Sequence, residues 1–486
     1  MIRSLLLLTI VLSLTFYAWK DWYKSLCGLI VLMAVLQHPD MPRTIFGVPG
    51  LNAWNILFFT IVIAWLSKRR SERLRWDMPQ VFGVLLLLYL GVILIGFFVL
   101  ILDRHSLPEE VPILGLTIDY LFNPVKWILI GLMLFDGCRG RRRLLLGLAS
   151  ILSLYFLLGL QVARWTSPSA FLSGIELSSY TLRRLNQEIG YHRNDLSTML
   201  AGASWAILAL RPLATSARLR GGVIAAALIV LYAQVITGGR GGYLAWCTVG
   251  LVLGLLRWRG YLVVAPLMLI VVVSFFPAVA ERALWGVQSN WPTSPEDMDF
   301  EEFTAGRTFV WPKVIDKSFE APLFGHGRAS FERTGLSAWW AAQDGAEVGP
   351  IHPHNAYLEM LLDSGVIGLL VTLALYGYLV TAGLSLVRDR RSPVFLAVGG
   401  IALSLILAQL AGSFTGQSLY PREATVGMWG AIGLLLRVSV QRSRPAADSR
   451  NRKRGWQPAH TNLQLGTTAR APDLAPSRSQ LPEAHL

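Results

Sequence analysis

The sequence predicts an all-α polytopic membrane protein. Of its 486 residues, 53% are hydrophobic and only 15% are charged. The mean hydropathy of +0.48 is too high for a water-soluble protein of this length. The apolar residues fall into blocks of about 17 to 25, the length that crosses a hydrocarbon core of roughly 30 Å as a helix. Because backbone amides in lipid need partners within their own segment, we predict that these blocks are helices.

The predicted spans follow one another along most of the chain. They lie at 2–19, 25–37, 51–67, 80–102, 118–137, 144–164, 195–213, 221–238, 242–256, 261–279, 356–386, 394–412 and 418–437. The block at 25–37 is short, so the total is about 12 or 13 transmembrane helices. Arg3 precedes the first leucine run, as in a signal peptide, but no small-residue cleavage site follows, and we predict a retained helix.

The connections between the spans differ in charge. If the helices alternate in direction, the strongly basic connections all fall on one side, at 68–75, 139–143, 211–220, 257–259 and 388–391. By the positive-inside rule, this side is the cytoplasm. The segment 438–486 is basic where it begins and polar and Pro-rich beyond, and we predict that it is a disordered cytoplasmic tail.

The net charge of +14 and the pI near 10.0 follow largely from this asymmetry. A pI this high is also typical of nucleic-acid-binding proteins. Here the arginines are spread over short loops and are not gathered in one patch. The sequence therefore predicts the lipid bilayer as a partner, and no nucleic acid.

The opposite side carries longer and more mixed connections, at 38–50, 103–117, 165–194 and 280–355. The last, between the tenth and eleventh spans, is large enough to fold as a small extracytoplasmic subdomain. It ends in HPHNAYLEMLLDSGVIG, which places His354 and Asn355 where the loop becomes a membrane helix. We divide the chain into N-terminal helices at 1–190, a region at 191–437 that includes the loop, and the tail.

The sequence predicts neither a metal site nor a cofactor. Cys27, Cys138 and Cys247 are scattered in or beside spans and form no metal-ligand pattern. His352 and His354 are two residues apart, so a helix cannot aim both at one ion, as it can an i, i+4 pair. The chain also lacks a phosphate-binding glycine loop and a dinucleotide fingerprint.

Polar residues remain at the predicted extracytoplasmic ends of the spans. Arg240 lies in TGGRGG, a glycine turn that lets a ligand approach the backbone closely. Arg307 lies in TAGRTFVWPKV, which has the pattern of an amphipathic segment on the membrane surface. His326 and Arg328 lie in LFGHGRASF, and Arg193 lies in the 165–194 connection.

Each of these residues also has a structural interpretation. An isolated arginine here, such as Arg193 or Arg328, binds a lipid headgroup or a carboxylate as readily as a substrate. His326 fits a role in shaping its loop. Glu359 and Asp363 share one helical face and are suited to orient a base, but Glu359 also suits the helix N-terminus, where the macrodipole favours negative charge.

Three motifs together resemble the O-antigen ligase and polymerase superfamily of bacterial envelope glycosyltransferases. They are TGGRGGYLAW (237–246), GRTFVW (306–311) followed by APLFGHGRASF (321–331), and HNAYLEMLLDSGVIG (354–368). They occur in the family's order, with the long loop between the expected helices. The resemblance covers roughly 190–437; the first half of the chain matches only in being hydrophobic and multi-spanning.

The resemblance implies a metal-independent, inverting transfer of a glycan from undecaprenyl diphosphate to an acceptor hydroxyl, outside the bacterial inner membrane. It implies that His354 is catalytic and that Arg240 and Arg307 bind the diphosphate. Further candidate site residues are Asn355, Glu359, Arg328, His326 and Arg193. The implied acceptor is lipid A-core in a ligase, another lipid-linked glycan in a polymerase, or a Ser or Thr in a protein O-oligosaccharyltransferase.

The chemistry of these residue types agrees with this function. A histidine that titrates near neutrality can take the proton of a sugar hydroxyl. Arginine's planar guanidinium offsets the growing charge of a diphosphate without a metal. The competing class is a transporter of lipid-linked glycans, but transporters usually carry polar or broken segments near the bilayer midplane. A third interpretation, a non-catalytic envelope scaffold, explains the helices but not the three motifs.

Overall fold

The computed structural model describes residues 2–35, 50–74, 76–165, 183–260, 307–344, 349–416 and 419–443, with isolated residues between some of these ranges. Within them the chain is helical, with no strand. Nine of the helices in these ranges are long and apolar enough to cross a membrane. The prediction of an all-α polytopic membrane protein is therefore confirmed.

The principal helices are numbered here in chain order. They are α1 Ile2–Leu32, α2 Ala53–Ser71, α3 Gln80–Leu102, α4 Ile113–Gly137, α5 Arg141–Trp165, α6 Arg193–Leu208, α7 Ala217–Ile236, α8 Arg240–Leu256, α9 Arg307–Ser318, α10 Leu336–Asp344, α11 Ala356–Arg388, α12 Pro393–Gly412 and α13 Val426–Ser443.

The first helix contains the first predicted span and, as far as Leu32, the second. Asp21 leaves the helical conformation, with φ −148° and ψ 86°. The hydroxyl of Ser25 donates a 2.9 Å hydrogen bond to the carbonyl of Leu14. In a straight helix these residues would lie about 16 Å apart. The chain therefore folds back at Asp21, and α1 is a hairpin of two helical arms.

Most predicted boundaries lie close to the observed helix ends, and α3 coincides with its predicted span. The last span differs, because the helix begins at Val426, after a 3-10 turn at Glu423–Thr425, and continues to Ser443. The predicted tail thus begins with helical residues. The predicted span at 261–279 for the most part, the loop residues 280–306 and the tail from 444 onward lie outside the described residues.

The helices approach each other closely where glycines remove side-chain bulk. Where α4 crosses α13, a Cβ on Gly131 would clash with the carbonyl of Trp429, and one on Gly433 with the carbonyl of Gly131. Such contacts between small residues are a common basis of helix association in lipid. Since α4 comes from the predicted N-terminal region and α13 from the second, the two regions pack together.

One end of the bundle gathers predicted basic connections, and we call it the basic face. Arg437, near the end of α13, forms a bidentate ion pair with Asp77, with N–O distances of 2.7 and 2.9 Å. Arg69 and Arg139 both pair with Asp136, at 2.7 and 2.5 Å. The connections after α2 and α4 and the end of α13 therefore meet at one end.

Candidate functional site

The opposite end brings together segments that are far apart in sequence, and we call it the site face. It contains the starts of α6, α8 and α11 and the connection from α12 to α13. The Ser197 hydroxyl donates to the carbonyl of Gly239 at 3.0 Å, and the Ala356 amide donates to the carbonyl of Ser413 at 2.9 Å. Arg422 pairs with Asp195 at 2.5 Å.

His354 lies in a strained turn immediately before α11. Its φ of 54° is in the left-handed region, which a non-glycine residue adopts rarely. The next residue, Asn355, caps the helix, because its side-chain oxygen accepts from the amides of Tyr357 and Leu358 at 3.0 and 3.3 Å. The turn therefore holds the His354 ring at the helix entrance, where strain is often functional.

Two tryptophans of the preceding loop hold this turn. The indole of Trp311, on α9, donates to the carbonyl of Pro353 at 3.1 Å. Trp340, on α10, meets the His354 ring edge to face, with centroids 5.9 Å apart. The part of the predicted long loop from 307 onward thus packs against the histidine turn, as a small subdomain would.

Both histidines of the motif are electrically neutral at pH 7. Their rings are 4.5 Å apart between centroids. Burial, with the Arg307 charge adding to it, lowers the pKa of His354 to about 4. Burial, together with the charges of His354 and Arg422, lowers the pKa of His352 to about 3. A neutral imidazole accepts a proton or a hydrogen bond, which an imidazolium does not.

Arg307 is a cation with unused donor capacity beside His354. One terminal nitrogen donates to the carbonyl of Thr415 at 3.2 Å. Its Nε is buried and has no hydrogen-bond partner in the part of the chain that the structure describes. Burial also lowers the pKa of Arg307, although arginine stays charged at neutral pH. A buried N–H without a hydrogen-bond partner is suited to an anionic ligand.

Arg240 is the first residue of α8, and its turn packs beside the same connection. Gly238 has a φ of 68°. A Cβ on Gly241 would clash with the side chain of Thr415. Arg307 also contacts Thr415. The glycine turn that carries Arg240 and the helix that carries Arg307 therefore both lie against Thr415.

Three further residues, His192, Asp195 and Arg422, lie at this site. Sequence reasoning selected Arg422, with Glu423, as an interfacial pair and a site candidate, but it did not select His192 or Asp195. His192 caps α6, accepting from the Asn194 amide at 3.3 Å through Nδ1. Burial lowers the pKa of His192, with Asp195 acting in the opposite direction. The charge of His192 lowers the pKa of both motif histidines, and the charge of Arg422 lowers that of His352. The signal available in the sequence was HRND (192–195), a polar run directly before an apolar span.

Two predicted candidates, His326 and Arg328, lie in a separate network. The Arg328 guanidinium pairs with Asp363 at 3.0 Å and stacks 3.4 Å from the Tyr420 ring centroid. The Nε2 atom of His326 lies 3.0 Å from the carbonyl oxygen of Lys317. Arg328 binds a carboxylate of its own chain, as its structural interpretation anticipated.

The remaining candidates lie near the start of α6 and α11. Arg193 is the first residue of α6, and its charge acts on His192. Glu359 lies in the first turn of α11, with a carboxylate oxygen 4.0 Å from an Arg328 nitrogen. Asp363 accepts from Ser330 and Arg328, so its carboxylate is committed to that network.

Comparison with known proteins identifies a family for the region that contains this site. Residues 225–373 match the family model described as O-antigen ligase, a stretch that contains Arg240, Arg307 and His354. A curated protein of Rickettsia conorii, named as a putative polysaccharide ligase, is 27% identical over 169 residues. That alignment covers 31% of this chain and 37% of the relative's length. The chain is thus a multi-pass membrane protein in which residues 225–373 match the O-antigen ligase family model.

Proposed function

We propose that the protein transfers a glycan from undecaprenyl diphosphate to an acceptor hydroxyl on the extracytoplasmic side of the inner membrane. The observation that carries the proposal is the placement of a neutral His354 beside Arg307 at one end of the helix bundle, within the family domain. This transfer is assisted by a proton acceptor for the attacking hydroxyl and by a cation for the leaving diphosphate, and the two side chains are suited to these roles.

In this mechanism the arginines act on the leaving group. Arg307 presents a buried Nε–H, and Arg240 begins a helix whose N-terminal amides also favour an anion. As the anomeric bond breaks, negative charge grows on the diphosphate, and fixed cations stabilise it more than they stabilise the substrate. Their position at a membrane surface lets the polyprenyl chain remain in lipid while the glycan faces water.

His354 acts on the acceptor. Its neutral ring accepts a hydrogen bond from the attacking hydroxyl and takes the proton as the new glycosidic bond forms. The low pKa of free His354 makes it a weak base before the donor binds. A bound diphosphate adds negative charge nearby, which raises the pKa of His354 toward the range in which it takes the proton more readily.

The sidedness of this mechanism rests on the arginine distribution. The basic connections meet at the basic face, which the positive-inside rule places in the cytoplasm. The site face is then extracytoplasmic, and the tail is cytoplasmic.

The test uses purified protein in nanodiscs with a lipid-linked glycan and three acceptors in separate reactions: lipid A-core, a second lipid-linked glycan and a Ser/Thr peptide. We expect product with one acceptor class, and a loss of about 10²-fold or more in His354→Ala. His105→Ala, an exposed histidine in the turn after α3, is the matched control and retains activity. Absence of product with every acceptor, or full activity in His354→Ala, would contradict the proposal.

A further inference from the structure

A non-helical turn at 322–327 is built into a break in the helix that carries the site. Within α11, Gly365 has a φ of 63° and a ψ of −170°, so the helix is interrupted there. In an unbroken helix, the amides of Val366 and Ile367 would donate to the carbonyls of Leu362 and Asp363. The interruption leaves these four backbone groups without their helical partners.

The turn supplies a partner to each of the four groups. The amides of Val366 and Ile367 donate to the carbonyls of Pro322 and Leu323, at 2.8 and 3.3 Å. The carbonyls on the other side of the break accept in the same way. The amide of His326 donates to Leu362 and that of Gly327 to Asp363, both at 2.8 Å.

Glycines make this insertion possible. A Cβ on Gly325 would clash with the backbone of Asp363 and Ser364, and one on Gly365 with the backbone of Leu323. Both residues have positive φ. The turn and the break are therefore complementary at the level of the backbone.

The turn lies beside α3, well inside that helix's apolar length. The Arg328 amide donates to the carbonyl of Gly96 at 2.9 Å, and Gly327 abuts Val99. Gly96 precedes the end of α3 at Leu102 by about 9 Å, and the helix is about 34 Å long. A helix of this length that crosses a hydrocarbon core of roughly 30 Å would hold the contact inside the core.

The exposed side chains of the turn are apolar. Leu323 and Phe324 are 58% and 62% exposed, and the neighbouring Phe319 is 73% exposed. At the same level, α3 exposes Ile95 and Phe98. The turn thus continues the outward apolar surface of the most hydrophobic span.

We propose that the 322–327 turn is a re-entrant membrane anchor: its Leu323 and Phe324 side chains, with the neighbouring Phe319, insert among the acyl chains of bilayer lipids. Non-helical backbone survives at membrane depth only where its polar groups have protein partners. The break in α11 provides partners for the groups described above. The anchor joins the loop that follows Arg307 to the helix that begins after His354, and so holds the site at the membrane surface.

The test measures depth by spin labelling of the full chain in nanodiscs of phosphatidylethanolamine and phosphatidylglycerol. Leu323→Cys and Phe324→Cys are labelled singly after replacement of the three native cysteines by alanine. We expect both labels to collide more with oxygen than with a water-soluble nickel chelate, as does the lipid-facing control Phe98→Cys. The exposed control Gln343→Cys shows the reverse.

Two results would overturn the anchor. Labels at 323 and 324 that behave like the label at 343 would place the turn in water. Labels that collide little with either reagent would place it against protein, such as a second copy of the chain. Should the alanine background not fold, a benzoylphenylalanine at Phe324 in the native chain gives the second measurement. We expect a phospholipid adduct. A chain–chain adduct without a phospholipid adduct, or no adduct at all, would contradict the proposal. Neither readout depends on enzymatic activity.

Discussion

His354 combines a left-handed backbone with a buried ring and a nearby guanidinium, and the burial and the guanidinium charge lower its pKa. Burial and the Arg307 charge lower its pKa from 6.5 to about 4. The neutral form is the one that accepts a proton, so a lowered pKa keeps the free protein active to lower pH. Activity is then lost only as the pH falls through the lowered value.

We therefore expect kcat/KM to remain level as the pH falls from about 7 to about 5.5 and to decline near 4, because kcat/KM reports the free enzyme. If a diphosphate donor binds as proposed, its negative charge raises the pKa of His354, and we expect the acid limb of kcat to lie at higher pH. The measurement is a pH–rate profile with saturating and with dilute donor. An acid limb of kcat/KM at 6.5 would mean that His354 is not buried as described.

Arg240 and Arg307 are predicted to act through the shape of the guanidinium as well as through its charge. Lysine keeps the charge but loses the planar fork that binds two phosphate oxygens at once. We expect Arg240→Lys and Arg307→Lys each to lower kcat/KM by about 10-fold or more, and the alanine variants to lower it further. Arg218→Lys, exposed on α7, is the matched control. Undiminished rates in both lysine variants would show that the planar geometry of the guanidinium is not required.

At the scale of one element, α11 depends on its interruption at Gly365. A side chain there would meet the Leu323 backbone and would adopt a φ of 63°. We expect Gly365→Ala to lower the free energy of unfolding by about 1–3 kcal/mol or more, from strain and overpacking. The measurement is thermal unfolding of purified protein in detergent.

The same helix offers a matched control for this substitution. Gly377 lies in the regular part of α11, and a Cβ there would meet open space. Gly377→Ala is expected to be neutral or to stabilise by up to about 1 kcal/mol, because alanine favours the helix. Equal effects of the two substitutions would mean that the interruption is not required.

At the scale of the whole molecule, the basic face and the site face are predicted to lie on opposite sides of the membrane. Arg390, between α11 and α12, and Gln343, on α10, are both exposed. With Cys247→Ser as background, Gln343→Cys should react with a membrane-impermeant thiol reagent in intact spheroplasts. Arg390→Cys should react only after permeabilisation, and a reversed pattern would place the site in the cytoplasm.

The sequence by itself determined the class of protein and the position of most spans. Hydropathy along one segment, compared with a hydrocarbon core of roughly 30 Å, is a local property, and α3 was located to the residue. The asparagine before α11 and the glycine turn before α8 could also be read locally, because caps and turns depend on a few consecutive residues.

Only the tertiary structure brought His192 to the motif histidines and Asp195 to Arg422. The residues of each contact lie about 160 to 230 positions apart in the chain, and they meet through helix packing that no local pattern encodes. The same holds for the low pKa of His354, which arises from burial by other segments. It holds also for the interruption at Gly365. A glycine in an apolar helix usually indicates close packing, and its backbone break is stable only because a distant turn supplies the missing hydrogen bonds.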